Sequence, residues 1–289
     1  MGSDASQVIK GESRINYSYS TVKITRSRIE KGLIAIPMSL AKWFPKYNTN
    51  IKVYLDDSDV LHQKNYSSYK SATRECRIGG MAEWFERNKI KSGDEIVIQL
   101  VDKESFEYRL IPERMFVKKT QELQENLDTS GNEIEALDEI TRLSNWTALD
   151  KQRVMLKEYH RIVTTMPLEE RGYIKQRSRQ ARESVPSNIR VILGDIYRGH
   201  CQVCDFWFLK KDGEPYFETH HIDPSKANHP KNLVLVCANC HRQFEYATVI
   251  NKFNKQDWLI RVSFNKKIYT VNQVFLREKL EEPVKELFV

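Results

Sequence analysis

Between Cys201 and Glu245 the chain carries two Cys-x-x-Cys pairs, Cys201/Cys204 and Cys237/Cys240, around a loop that holds the adjacent histidines His220 and His221. Four thiols in paired knuckles suit one structural Zn2+ per chain, held tetrahedrally. Asn232 lies inside the loop, and His241 follows the last cysteine directly. The histidines are left over for a second task. Adjacent residues on a strand point to opposite faces, so His220 and His221 do not readily ligate one ion together. Separate jobs are more natural. A neutral imidazole near its own pKa suits activation of a water. A divalent metal suits clamping an anion and assisting a leaving oxygen.

This arrangement resembles the HNH nuclease family, whose core is two strands and a helix around one catalytic metal. The resemblance implies a ligand role for His220, a general-base role for His221 and a second ligand in His241. It also implies that Asn232 braces the loop behind His221 and does not touch the phosphate. Many family members carry a further histidine four residues after the helix histidine; here that place holds Glu245. Spacing of i, i+4 puts His241 and Glu245 on one helical face. Glu245 is then either a third, harder ligand, which favours one Mg2+ or Mn2+ per site, or a solvated helix glutamate.

The elements that must position these groups come from an ordinary globular composition. The chain has 289 residues, 40% hydrophobic and 29% charged, enough for two or three domains. No apolar run approaches a membrane span, so no membrane partner is expected. The polar start, residues 1–14, reads as a disordered leader without a signal peptide. A net charge of +7 favours a polyanionic partner. Four of the five cysteines belong to the knuckles, which is a metal-site count in a reducing, cytoplasmic compartment. Resemblance to restriction-type HNH nucleases implies a prokaryotic, nucleoid-associated setting.

Residues 15–113 read as a β-rich domain. YSYSTVKIT, LIAIP, IKVYLDD, EIVIQL and ESFEYRLIP are strands, MSLAKWF and GGMAEWFERNKI are helices, and Gly93-Asp94 is a turn. RSRIEKG reads as a basic loop, and HQKNYSSYKSATRECR as a hairpin. The order resembles the DNA-binding pseudobarrel of plant transcription factors of the B-three type and of some restriction-enzyme recognition domains. The matching features are IPMSLAKWF and the GGMAEWFERNKIKSGDEIVIQL block. The resemblance implies that two arms grip double-stranded DNA. The first runs from Thr25 to Lys31, with Arg26, Arg28 and Lys31. The second runs from Gln63 to Arg77, with Lys64, Asn65, Tyr66, Tyr69, Lys70, Arg74 and Arg77. Arginine reads guanine edges and asparagine adenine, while lysine and tyrosine hold phosphates.

Residues 114–190 are expected to be a helical linker and possible dimerisation region. QELQENLDTSGNE reads as flexible. EIEALDEITRLSNW and ALDKQRVMLKEYHRIVTTM read as amphipathic helices, with Asp150 near the start of the second. PLEERGYIKQRSRQARESVP is helix-prone, and Arg171, Lys175, Arg177, Arg179 and Arg182 either track a phosphate backbone or form a solvated face. Residues 191–289 complete the nuclease domain, ending in strand, turn, strand and helix. His62, His160, His200 and His229 read as ordinary histidines and Cys76 as a small buried residue. Asp223 reads as a turn residue before Pro224, and Phe206 and Trp207 as core.

The fold class expected is therefore multidomain α+β: an N-terminal pseudobarrel, a helical linker and a C-terminal zinc-stapled ββα-metal domain. The function expected is a restriction-type endonuclease acting as a homodimer on double-stranded DNA at a specific or modified site. Two rivals are a non-specific or nicking HNH nuclease and a DNA-binding protein whose HNH fold is an inactive scaffold.

Overall fold

The computed structural model describes residues 7–10, 15–68, 76–169, 173–176, 179–182 and 184–277. These fall into two compact units, one drawn from residues 1–123 and 145–148, the other from 124–144 and 149–281.

The first unit is built on β1 (Gln7–Lys10), β2 (Tyr19–Lys23), α1 (Arg26–Glu30), β3 (Ile34–Ile36), α2 (Met38–Ala41), β4 (Thr49–Leu55), β5 (Leu61–Ser67), β6 (Cys76–Ile78), α3 (Ala82–Arg87), β7 (Glu95–Asp102) and β8 (Glu107–Pro112). Its strands form one curled sheet in the order β1-β2-β7-β8-β4-β5-β6-β3. Every neighbouring pair is antiparallel except β4 with β8. β3 returns beside β2, so the sheet is a nearly closed pseudobarrel.

Alternation fills its interior. In β4 Ile51, Val53 and Leu55 are buried while the residues between them are not. Phe44 stacks on Tyr108 at 4.3 Å and on Tyr66 at 5.4 Å between ring centroids. The buried Tyr108 hydroxyl donates to the Trp43 carbonyl at 2.7 Å. Met81, Trp84 and Phe85 of the GGMAEWF stretch all face this core, and Asp56 accepts from Trp84 Nε1 at 3.0 Å and from Arg87 at 3.1 Å.

Two expectations change here. Residues 7–10 of the supposed leader form β1, paired with β2; Val8 and Ile9 are β-branched and suit a strand. The basic loop RSRIEKG contains α1, with an Arg26–Glu30 pair at 3.0 Å one turn apart. It ends at Gly32, whose φ of +59° and close approach to Ala82, 3.0 Å from a built Cβ, need a glycine.

After β8 come α4 (Glu113–Asp128), α5 (Glu133–Thr147) and α6 (Lys151–Thr165). The stretch expected to be a flexible linker is largely α4. Its polar composition hides Leu123 and Leu127, both buried and four residues apart, in step with Phe116. The chain breaks at Ser130-Gly131, and Asn132 caps α5 by accepting from Glu135 N–H at 2.9 Å while Glu135 reaches back to Gly131 N–H, also at 2.9 Å. Asp150 caps α6 by accepting from Arg153 N–H at 2.9 Å.

The second unit continues with β9 (Tyr173–Gln176), β10 (Arg179–Arg182), α7 (Ser187–Ile196), β11 (Glu218–His221), a 3-10 turn (Pro230–Asn232), β12 (Leu233–Val236), α8 (Ala238–Tyr246), β13 (Val249–Phe253), β14 (Leu259–Phe264), β15 (Lys267–Thr270) and α9 (Val274–Arg277). The run expected to be helical is instead the antiparallel hairpin β9–β10. It lacks a continuous apolar stripe that a helix would bury. Lys175, Arg179 and Arg182 therefore lie on strands, and Arg171 and Arg177 fall outside the described residues.

One partly buried ionic cluster fixes the helices. Arg161 of α6 donates to both Asp128 oxygens at 2.8 and 2.7 Å and to Glu158 at 2.6 Å. Gln124 completes Glu158 at 2.7 Å, and Asn188 of α7 reaches Asp128 at 3.1 Å. Arg190 of α7 pairs with Glu133 at 2.8 Å. No helix among the described residues is long and apolar enough to cross a membrane.

Candidate functional site

β11 and β12 pair antiparallel, with His220 opposite Val234 and His221 opposite Leu233. All four residues of β12 are buried, on two sides. Leu233 and Leu235 pack with α6 and α7, while Val234 and Val236 pack with the cysteines and β14. Directly opposed residues share a face. His221 thus sits on the α6–α7 side and His220 on the α8 side.

The knuckles flank this ribbon. Cys237 precedes α8 and accepts from Cys240 N–H at 3.4 Å. Gln202, between the first two cysteines, exchanges hydrogen bonds with Leu235, N–H to carbonyl at 2.9 Å and Leu235 N–H to Gln202 Oε1 at 2.7 Å. Its amide also donates to the Asn272 carbonyl at 2.7 Å. The turn into the knuckle needs Gly199, where a Cβ would lie 2.2 Å from Pro215.

All four sulfurs lie within 4.8 Å of one another, three of them on buried residues. Cys204 and Cys237 are 3.7 Å apart, close to the edge of about 3.8 Å of a tetrahedron with zinc–sulfur arms of about 2.3 Å. A hydrogen bond from Cys240 pulls the Cys201 thiol down to about 5, while burial pushes Cys204 up to about 11. The donor set fits one zinc ion held as four thiolates.

On the α8 side, His220 lies flat on Phe244, 4.3 Å between centroids, and meets His241 edge-on at 5.2 Å. Burial, and then repulsion from His241 and His221 when those rings are also protonated, lowers the His220 pKa to about 4, so the ring is neutral at neutral pH and offers a lone pair. Glu218, two residues before His220 and on the same face, accepts from His241 Nδ1 and from the Tyr216 hydroxyl. These contacts, Tyr216 first, hold the Glu218 carboxyl below the usual range. With its Nδ1 proton committed, His241 presents the Nε2 lone pair, 3.9 Å from Glu245 Oε1. The other Glu245 oxygen accepts from Arg242 at 2.6 Å. Among the described residues the four cysteines are the one set of three or more ligand side chains gathered within 4.8 Å. His220, His241 and Glu245 share a face but stand further apart.

On the other side, His221 Nε2 meets Asn228 Oδ1 at 2.9 Å. The buried Asn228 points its amide nitrogen at the Ser184 carbonyl, 3.2 Å away, so its oxygen faces the ring. This network assigns the His221 proton to Nε2 and the lone pair to Nδ1. Asn232 accepts from Asp223 N–H at 2.8 Å and donates to the carbonyls of Asp223, Lys226 and Ala227 at 3.0, 3.2 and 3.1 Å. It braces the loop after His221. Asp223 closes its turn by accepting from Ser225 N–H and Oγ at 2.9 and 2.6 Å.

His229 is a packed histidine between Lys231 N–H and the Val163 carbonyl, and His200 stacks on Trp207. Phe206 and Trp207, expected in the core, are 55% and 47% exposed, because the loop after Cys204 runs outside the cysteine cluster. Sequence reasoning missed Glu218 and Asn228. The two-residue spacing to His220 signals Glu218. No spacing signals Asn228, which a loop delivers.

The arm residues of the first unit are placed unevenly. Arg26 and Lys31 are exposed on or beside α1, and Arg28 is half-buried. Asn65 is exposed on β5, and Lys64 donates to the Gly80 carbonyl at 2.6 Å. Arg77 is half-buried on β6. Tyr66 is not available for DNA: it is 2% exposed, turned into the barrel against Phe44 by strand parity. Tyr69, Lys70 and Arg74 lie outside the described residues.

Residues 201–245 match the model of the HNH endonuclease family, and this segment is an HNH domain. A stretch of 55 residues, 17% of this chain, is 38% identical to the type IV methyl-directed restriction enzyme EcoKMcrA of Escherichia coli strain K12. The match spans 20% of that relative's length. A chain of the Arabidopsis FUS3–DNA complex aligns with 32% of this chain and 92% of its own length, at 14% identity and a TM-score of 0.27.

Proposed function

We infer that this protein is a metal-dependent DNA endonuclease of the restriction type. Residues 15–113 recognise a specific or modified duplex site, residues 114–190 join the parts, and residues 191–289 cut. The observation that carries the reading is the pair of oppositely facing histidines: His221 fixed in one tautomer by Asn228, and neutral His220 beside an oriented His241. The relative's methyl-directed name extends the reading to modified sites.

A water beside the scissile phosphate gives a proton to Nδ1 of His221 and attacks phosphorus in line with the departing 3′ oxygen. The P–O3′ bond breaks, and the leaving oxygen takes a proton from solvent. The ends are 5′-phosphate and 3′-hydroxyl. A Mg2+ or Mn2+ ion, held by His220 and His241 Nε2 with Glu245 in reach, would neutralise charge on the phosphate and the leaving oxygen. Asn232 keeps the loop after His221 in place. Cutting both strands requires two sites, so a two-fold dimer is part of the proposal.

The test is cleavage of methylated and unmethylated genomic DNA with added Mg2+ or Mn2+, wild type against His221→Ala. Discrete fragments from one DNA, lost in the variant, support the reading. Smears from both DNAs would replace it with a non-specific nuclease. Cleavage retained by His221→Ala would remove the assigned base.

A further inference from the structure

The sheet β13-β14-β15 follows the HNH segment; one face packs against the cysteine cluster and Phe244, and no residue of the other face belongs to the site described above. Its registers set Ile250, Ser263 and Ile268 in one row and Lys252, Arg261 and Thr270 in the next. The two rows share a face, because opposed residues and residues two apart point the same way. The opposite rows carry Val262 and Phe264 into the core. The first face is open: Ile250 and Ile268 are 63% and 70% exposed, and Lys252, Arg261 and Thr270 are exposed too.

Lys252 and Arg261 are directly opposed cations. Like charges in that position repel across a sheet. Among the described residues neither has a carboxylate partner in an ion pair. Residues 249–270 hold five Lys and Arg, with Lys266 among them at the β14–β15 turn, against one acid, Asp257. A second copy of this chain is a poor occupant, since two-fold pairing would bring the cationic row against itself. A polyanion relieves the repulsion. The branched apolar side chains of Ile250 and Ile268 suit contact with deoxyribose.

We propose that this face of the β13-β14-β15 sheet binds the phosphate backbone of DNA, through Lys252 and Arg261, and seats the duplex on the nuclease unit. The proposal rests on the nuclease reading. Such contacts carry no sequence information; they fix register and orientation.

The experiment is fluorescence anisotropy of the full chain on a labelled mixed-sequence duplex, across a potassium chloride series, without added divalent metal. Wild type is compared with Lys252→Ala/Arg261→Ala and with Lys210→Ala/Lys211→Ala, which removes equal charge elsewhere in the same unit. The first pair should weaken binding about tenfold at low salt and reduce the slope of log K against log salt by about 2. The control pair should leave the slope in place. An unchanged slope in Lys252→Ala/Arg261→Ala overturns the proposal, as does an equal loss in the control. Self-association abolished by Ile250→Lys/Ile268→Lys, with DNA binding intact, would make the face an interface between copies. If wild type cuts DNA while the slope is unchanged, only this proposal fails. If wild type binds no DNA, the nuclease reading fails with it.

Discussion

Asn228 Oδ1 lies 2.9 Å from Nε2 of His221, and Asn228 itself is anchored to the Ser184 carbonyl. Seven residues of sequence separate the two, yet the loop between them folds back so that the amide sets the imidazole tautomer. In the proposed mechanism the proton-accepting nitrogen is thereby chosen before any substrate arrives.

Asn228→Leu should therefore lower kcat by about 10- to 100-fold, less than the roughly 100- to 10,000-fold that loss of a general base itself costs. The Kd for DNA should stay near that of wild type. Single-turnover cleavage and binding measured on one preparation check this. A large rise in Kd with kcat retained would show that Asn228 serves binding.

Glu218 does for His241 what Asn228 does for His221, with a charge added. Glu218→Ala should weaken Mn2+ at the histidine site by about 10- to 100-fold, read as free Mn2+ by electron paramagnetic resonance. Glu218→Gln keeps an acceptor and should fall between. Zinc content should not change, because the cysteine cluster does not use Glu218.

Cys201→Ser should cost the protein its zinc and unfold the second unit, since ligand binding and folding are one event at such sites. Zinc analysis together with thermal unfolding tests it. Full zinc occupancy and unchanged stability would disprove the four-cysteine assignment.

Burial holds the His229 pKa below 6.5. Its neutral ring accepts from Lys231 N–H and faces the Val163 carbonyl. The unfolded chain binds the proton first, so this contribution is complete above pH 6.5 and is lost as pH falls through the folded pKa. The Tm of the second unit should decline below that pH. His229→Gln should make the decline shallower and leave the part that His220 contributes; an equally steep decline in that variant would remove His229 as a source.

The four-cysteine cluster and the ββα order are legible because ligand chemistry fixes spacing within short loops. Strand alternation likewise exposed most of the first unit. What was hidden depends on where side chains arrive. Tyr66 looked suited to DNA by type, but parity on β5 turns it inward. α4 looked like a linker because charged residues outnumber the leucines that anchor it. Glu245 matched a ligand by spacing, yet Arg242, three residues before it, holds one of its oxygens. A neighbour on the same helix can redirect a carboxylate that a motif counts as available.

Gln202 ties the first knuckle both to β12 and to the Asn272 carbonyl, beyond the last strand of the C-terminal sheet. The consequence concerns the time of synthesis. On the ribosome, His220 and His221 emerge before Cys240 and Asn272, so the chain carries its paired histidines while the clamp that aligns their strand is incomplete. The proposed cutting competence therefore comes late in translation, after all four cysteines and Asn272 have been made.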